Sequence, residues 1–110
     1  MASIRRPSYD LHAILELVGH GEYETTREAE IGMEDLGLSS DDLETCILGL
    51  TPSEFHKPMP AEQRPQLLQD VYRPRYDDVP IYLKLQLVGT LDLQRYPQGR
   101  FVQVISFKRK

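Results

Sequence analysis

The hydrophobic period of this chain changes once, and that change dictates two kinds of secondary structure in a fixed order. Leu11, Ile14, Leu15 and Val18 recur at i, i+3, i+4 and i+7, the spacing of one buried helical stripe. From residue 67 onward the apolar side chains alternate instead. Val79, Ile81, Leu83, Leu85 and Leu87 fall on one side of a strand, with Tyr82, Lys84 and Gln86 on the other. Phe101, Gln103, Ile105 and Phe107 alternate in the same way with Val102, Val104, Ser106 and Lys108. Pro58, Pro60 and Pro65 stand between the two regimes, so 58–66 reads as a loop. Helices followed by strands specify an α+β fold, with N-terminal helices packed on one face of an antiparallel β-sheet.

Local signals set the expected boundaries. Ser8 or Asp10 caps the first helix, and Gly19-His20-Gly21 stops it. Thr25 with Glu28 reads as a capping box for a second helix that Gly37 ends. A third begins at Ser39 or Ser40, buries Leu43, Cys46, Ile47 and Leu50, and weakens at Gly49. Thr51-Pro52-Ser53-Glu54 is a further capping box, so a short helical turn is expected to carry Phe55 to Lys57. Glu22–Glu24 reads as a short edge strand, and strands are expected near 67–73, 79–88, 90–95 and 101–108 in a meander. Pro97-Gln98-Gly99 marks a turn. A length of 110 residues fits a single domain over 1–110.

Charge follows the same division. Residues 1–54 hold Arg5, Arg6 and Arg27 against 12 acidic groups, a net of −9. Residues 55–110 hold ten basic and five acidic groups, a net of +5, so the overall −4 hides a basic, strand-rich half. No apolar run reaches the ~18–20 residues of a membrane span, and no apolar stretch follows Arg5 and Arg6 as in a signal peptide. The expected location is cytoplasmic. The lone Cys46 lies on an apolar stripe and reads as core, and no Cys/His spacing suits zinc. His12 and His20 read as surface residues, and His56, beside Lys57, as a minor candidate. Asp41-Asp42 and Asp77-Asp78 read as helix-start and turn residues rather than calcium ligands. Phosphate-binding glycine loops and nucleophile elbows are absent from the sequence.

The polar residues of the basic half are placed to grip a polyanion. Alternation puts Gln69 and Arg73 on one strand face, Arg75 projects beyond Pro74, Tyr82 and Lys84 share the next strand, and Lys108 ends the last. Such a face can bind phosphate and stack on bases. The same pattern also suits a solvated face whose cations discourage edge-to-edge aggregation.

Asp70-Val71-Tyr72-Arg73-Pro74-Arg75, Val79-Pro80-Ile81-Tyr82-Leu83-Lys84 and Val104-Ile105-Ser106-Phe107-Lys108 closely resemble the MqsR (motility quorum-sensing regulator) toxin family. Thr25-Thr26-Arg27, Glu34-Asp35-Leu36-Gly37-Leu38 and Ser53-Glu54-Phe55-His56-Lys57 agree in the same order. The resemblance implies a RelE-like fold and a toxin of a type II toxin–antitoxin system, a ribosome-independent endoribonuclease cutting mRNA at short GC-containing sites. It implies functional roles for Lys57, Gln69, Tyr82 and Lys108, with Arg73 as a phosphate ligand; Arg75 and Lys84 are added as phosphate-binding candidates. It also implies a zinc-binding, helix-turn-helix antitoxin of the MqsA type, through which any operator DNA contact passes, and no cofactor or metal for the toxin. Gly89 to Arg100 is longer than the family's hairpin, a change expected to enlarge the RNA groove or alter antitoxin contact. On this reading Lys57 or Lys108 and Arg73 hold the phosphate, Gln69 orients ribose or phosphate, and Tyr82 moves a proton or stacks on a base. The alternative is a non-catalytic module that binds RNA or the antitoxin. A DNA binder acting alone ranks last, for want of a basic recognition helix.

Overall fold

The computed structural model describes residues 6–110, so Arg5 of the charge count lies outside the described residues. Three helices precede the main sheet strands: α1 (Leu11–Gly19), α2 (Arg27–Leu36) and α3 (Ser40–Leu48), with the short strand β1 (Tyr23–Thr25) between the first two. Asp10 caps α1, and the stripe it buries is Ala13, Ile14, Leu17 and Val18, one residue round from the expected one; Leu11 and Leu15 are half-buried. Ser39 and Asp42 close a capping box on α3. The α2 cap is Thr26 rather than Thr25: its hydroxyl accepts from the Ala29 N–H, and Gly37 ends the helix in the left-handed conformation that favours glycine.

Two expectations in the middle of the chain are corrected. Pro52–Glu54 forms a 3-10 turn, but Phe55 to Lys57 do not extend it; they begin β2 (Phe55–Pro60), so the loop is confined to residues 61–67. Pro58 and Pro60 are tolerated because β2 is the outer strand, where missing N–H donors leave no second neighbour unpaired. The remaining strands are β3 (Leu68–Tyr72), β4 (Arg75–Tyr76), β5 (Val79–Gly89) and β6 (Arg100–Arg109). Strand order is β1-β6-β5-β3-β2, with β4 on β5, and every pairing is antiparallel except β1 with β6. Asp77 and Asp78 take positive φ at the β4–β5 turn, the role expected of them.

No strand forms at 90–95. Leu91 is 98% exposed and Leu93 58%, so their alternation has no sheet to pack on. The loop instead folds back toward β1: Tyr96 stacks on Phe101 at 4.5 Å and donates to Glu24, while Gln98 donates to Glu22.

The helices cover one sheet face. Ile14, Leu17 and Val18 of α1, Met33 of α2, and Leu43 and Ile47 of α3 pack with Leu83, Leu85, Val102, Val104 and Phe107. Fully burying each aliphatic side chain contributes about 1.5–3 kcal/mol. Asp70 also lies in this layer, fully buried, and accepts from the Ser8 and Tyr9 N–H groups at 2.9 and 3.0 Å. That strap fastens the N-terminal segment to β3, reinforced by the Tyr9 hydroxyl on the Leu68 carbonyl at 2.6 Å. Beyond the end of β1, α2 runs alongside β6. The approach is so close that a Cβ on Gly32 would lie 2.0 Å from the Phe107 carbonyl oxygen. Among the described residues no helix is long and apolar enough to cross a membrane.

Candidate active site

The sheet face opposite the helices gathers the chemistry, and two β-bulges decide which residues reach it. In β2 the register runs Phe55↔Tyr72 and then Lys57↔Val71, so His56 is one extra residue. Phe55 therefore turns to the core, where it meets Tyr72 edge-on at 5.4 Å, and Lys57 turns to the open face. In β6 the register runs Lys84↔Ser106 and then Leu85↔Val104, so Ile105 is extra. Strict alternation would place Phe107 beside Gln103 and send Lys108 inward. The bulge reverses both: Phe107 is fully buried, and Lys108 pairs with Tyr82.

Four residues thus share one face. Lys57 is half-buried on β2, and Gln69 is buried on β3. Tyr82 is half-buried on β5, and the Lys108 ammonium of β6 stands 5.3 Å from its ring centroid, over the electron-rich π face. The Tyr82 hydroxyl donates to the Met59 sulfur at 3.5 Å. Lys84, two residues along β5, lines a cavity of about 490 Å³ with Gln69, Glu28, Thr26 and Ile105. Arg73 is exposed just past β3, where its backbone N–H donates to the Glu54 carbonyl at 2.8 Å. Arg75 is not brought into the cluster: its guanidinium donates to the Asp78 carbonyl at 2.7 Å and holds the β4–β5 turn. Among the described residues, Lys57, Arg73, Lys84 and Lys108 form no ion pair, which leaves their charges for a ligand.

The electrostatics favour a protonated phenol. Burial lifts Tyr82 above its ordinary value of 10.0, the Glu28 carboxylate lifts it further, and Arg73 opposes the shift. Cys46 is no competing nucleophile, because burial and the Glu54 charge push its thiol up to about 11. Among the described residues no cluster of three or more His, Cys, Asp or Glu could hold a metal ion. His12 and His20 are exposed, as expected.

Glu28, Ser106 and Met59 belong to this face and were not singled out from sequence. Placing the α2 cap at Thr25 makes Glu28 look like a capping partner. With the cap at Thr26, the Glu28 carboxylate instead accepts from the buried Ser106 hydroxyl at 3.1 Å. The Thr26 hydroxyl donates to the carbonyl of the bulged Ile105 at 2.7 Å, which ties the helix start to the bulge. Met59 was hidden by its flanking prolines. The long β5–β6 loop is remote from Tyr82: Gly89 lies seven residues away along β5, roughly 23 Å. It therefore does not enlarge the groove at the cluster.

Residues 6–109 match the family model described as "Motility quorum-sensing regulator, toxin of MqsA". A relative from Escherichia coli (strain K12), named mRNA interferase toxin MqsR, is 34% identical over 106 residues, covering 96% of this chain and 97% of the relative. With an α+β fold consistent with RelE-like toxins and a match across nearly its whole length, the chain belongs to the motility quorum-sensing regulator family of toxins.

Proposed function

We propose that this chain is the toxin of a toxin–antitoxin pair and acts as a ribosome-independent endoribonuclease on mRNA, arresting translation and growth. The observation that carries the reading is the convergence of Lys57, Gln69, Tyr82 and Lys108 on one open face, with Arg73 and Lys84 beside them and, among the described residues, no ion pair engaging these cations. The relative's name, mRNA interferase toxin, supports the same substrate class.

The chemistry is in-line attack of a ribose 2′-oxygen on the adjacent phosphorus. The O2′–P bond forms, the P–O5′ bond breaks, the 2′ proton passes to solvent water, and the 5′ oxygen takes a proton from Tyr82, which water then restores. The products are a 2′,3′-cyclic phosphate and a 5′-hydroxyl. The extra negative charge on the non-bridging phosphate oxygens is met by Lys57, Arg73, Lys84 and Lys108, and stabilising developing charge in this way is usually the largest catalytic contribution. Gln69, buried and donating a hydrogen bond from its amide to Gln86, orients ribose or phosphate. Tyr82 holds its proton at neutral pH even at the ordinary value of a phenol, and burial and Glu28 only strengthen that hold, so its role is to donate to the leaving 5′ oxygen. Metal is not needed for these steps, and the preferred sites are short and GC-containing. The partner is an antitoxin of the MqsA type, a zinc-binding helix-turn-helix protein that carries any operator contact. Arg75 is the weakest phosphate ligand of the set, since its guanidinium is already engaged.

Purified protein is incubated with RNA in excess EDTA. Cleavage leaving 2′,3′-cyclic phosphate ends supports the proposal, and strict magnesium dependence would sink the mechanism. Tight RNA binding without cleavage, together with harmless expression in cells, would instead identify a non-catalytic module.

A further inference from the structure

A second cavity opens at the rim of the sheet, lined by Gln86 and Gln103 of the open face and by Tyr9 and Leu87 of the helix-covered side, and a chain of three side-chain amides connects it to the first. Gln69 Nε2 donates to Gln86 Oε1 at 3.4 Å, and Gln86 Nε2 donates to Gln103 Oε1 at 2.8 Å, across β3, β5 and β6. Gln69 lines the cavity that holds Lys84, while Gln86 and Gln103 line another of about 330 Å³ with Tyr9, Arg64, Leu67 and Val88. That volume lies at the lower end of the roughly 300–1,000 Å³ usual for small-ligand sites.

The lining has the makings of a base pocket. Tyr9 offers an aromatic ring held in place by two anchors, its hydroxyl on the Leu68 carbonyl and its N–H on the buried Asp70. Arg64 offers a guanidinium plane, and Leu67 and Val88 supply apolar walls. Aromatic rings and guanidinium planes are the surfaces on which unstacked bases rest, while amides read their edges. The amide chain also has a direction. Gln86 spends one N–H on Gln103, and Gln103 accepts through its oxygen, so the Gln103 Nε2 hydrogens remain to meet an acceptor. Gln86 lies two residues beyond Lys84 on the same face, roughly 7 Å, which is next door to the phosphate site.

We propose that the cavity between Gln86, Gln103, Tyr9 and Arg64 is a nucleobase subsite, in which Gln103 donates to a carbonyl of a base adjoining the scissile phosphate and so contributes to the choice of cleavage site. The proposal rests on the endoribonuclease reading above, and it deepens that reading by assigning base selection to residues outside the catalytic cluster. No bond to the sugar-phosphate backbone is required of Gln103, and it touches none of the catalytic cluster, so its substitution leaves the chemical step intact.

Binding is tested apart from cleavage by titrating the wild-type protein with the four nucleoside 3′-monophosphates and following side-chain amide signals by NMR. The Gln86 and Gln103 amides and the Tyr9 ring are expected to shift, most with a base bearing a carbonyl, and Gln103→Leu should weaken that nucleotide about tenfold through the lost hydrogen bond. Shifts confined to Lys57, Lys84 and Lys108, with the three subsite residues unmoved, would overturn the base subsite and leave the proposed function standing. Cleavage is then mapped on an RNA pool randomised around the cut. Gln103→Leu should broaden the preferred sequence while unselected sites are cut within about twofold of the wild-type rate. An unchanged sequence profile in this variant would also overturn the subsite, whereas a wild-type protein that cuts nothing would overturn the endoribonuclease reading instead.

Discussion

Strand β5 and its two bulged counterparts, β2 and β6, solve the same problem differently. From Ile81 to Leu85, β5 alternates without interruption, burying Ile81, Leu83 and Leu85 and presenting Tyr82 and Lys84. A period of two is all that such a strand needs. β2 and β6 each carry one extra residue, His56 and Ile105, and each change of phase moves a lysine onto the open face and an aromatic ring into the core. The lesson is that cations on three separate strands can meet only if registers are adjusted locally, because a one-residue slip of a whole strand would invert every side chain on it. Bulges make that adjustment at one point and spare the rest of the strand.

The comparison breaks most completely if the phase set by the bulge is reversed. Inserting one alanine between Ser106 and Phe107 would send Lys108 inward and Phe107 outward, so RNA cleavage should fall below detection and the urea midpoint should drop sharply, whereas deleting the extra Ile105 keeps both side chains on their faces. An insertion variant that cut RNA at the wild-type rate would show that the phase of the strand end does not bring Lys108 to the site.

Removing the functional groups themselves leaves the register alone and should cost activity without the fold. Lys57→Ala and Tyr82→Phe are each expected to slow cleavage by about 10²–10⁴, the range for lost acid–base or charge stabilisation, with unchanged far-UV circular dichroism. Loss of folding in either would return that residue to a structural role.

A smaller effect is expected where α2 meets β6. A methyl group on Gly32 has no room beneath the Phe107 carbonyl, so Gly32→Ala should destabilise by about 1–3 kcal/mol in urea unfolding. Wild-type stability there would mean that the helix sits farther from the bulged strand than the structure places it.

The smallest effect concerns the core side of the regular strands. Burial raises both Tyr23 and Tyr72 to about 12, with Glu44 adding to the first and Asp70 to the second. Each folded-state pKa exceeds the unfolded value near 10, so this contribution to stability is complete below pH ~10 and lost as pH rises through 12. Urea midpoints measured from pH 9 to 12 should fall over that window. Among the described residues the buried Tyr72 hydroxyl has no hydrogen-bond partner. Tyr72→Phe should therefore be neutral, or stabilising by up to about 1 kcal/mol, and should soften the alkaline decline.

Much of this architecture is legible from residues alone, element by element. Asp10, Ser39 and Gly37 act at helix ends where their side chains or lack of one suggest, and Val79 to Leu87 announce β5 by alternation. The failures have physical causes. Thr25 and Thr26 are both competent caps, and the choice between them fell to a long-range bond from the Thr26 hydroxyl to Ile105. Pro58 and Pro60 argue against a strand locally, yet an edge position removes the objection. Leu91 and Leu93 alternate like a strand but have no neighbouring strand to pair with.

The candidate residues were named from sequence through resemblance and charge, and alternation correctly put Tyr82 and Lys84 together. Alternation by itself would have separated Lys108 from them.

The order of helices before strands, the acidic first half and the basic second half follow from the sequence by itself, because period and charge are local properties. Which lysines share a face with Tyr82, and that Glu28 points at Ser106 rather than at its own helix start, were decided by the tertiary structure. A bulge forms where packing on both sides of a strand, Phe107 inward and Lys108 outward, favours one extra residue over strict pairing, and that balance involves partners far apart in the chain.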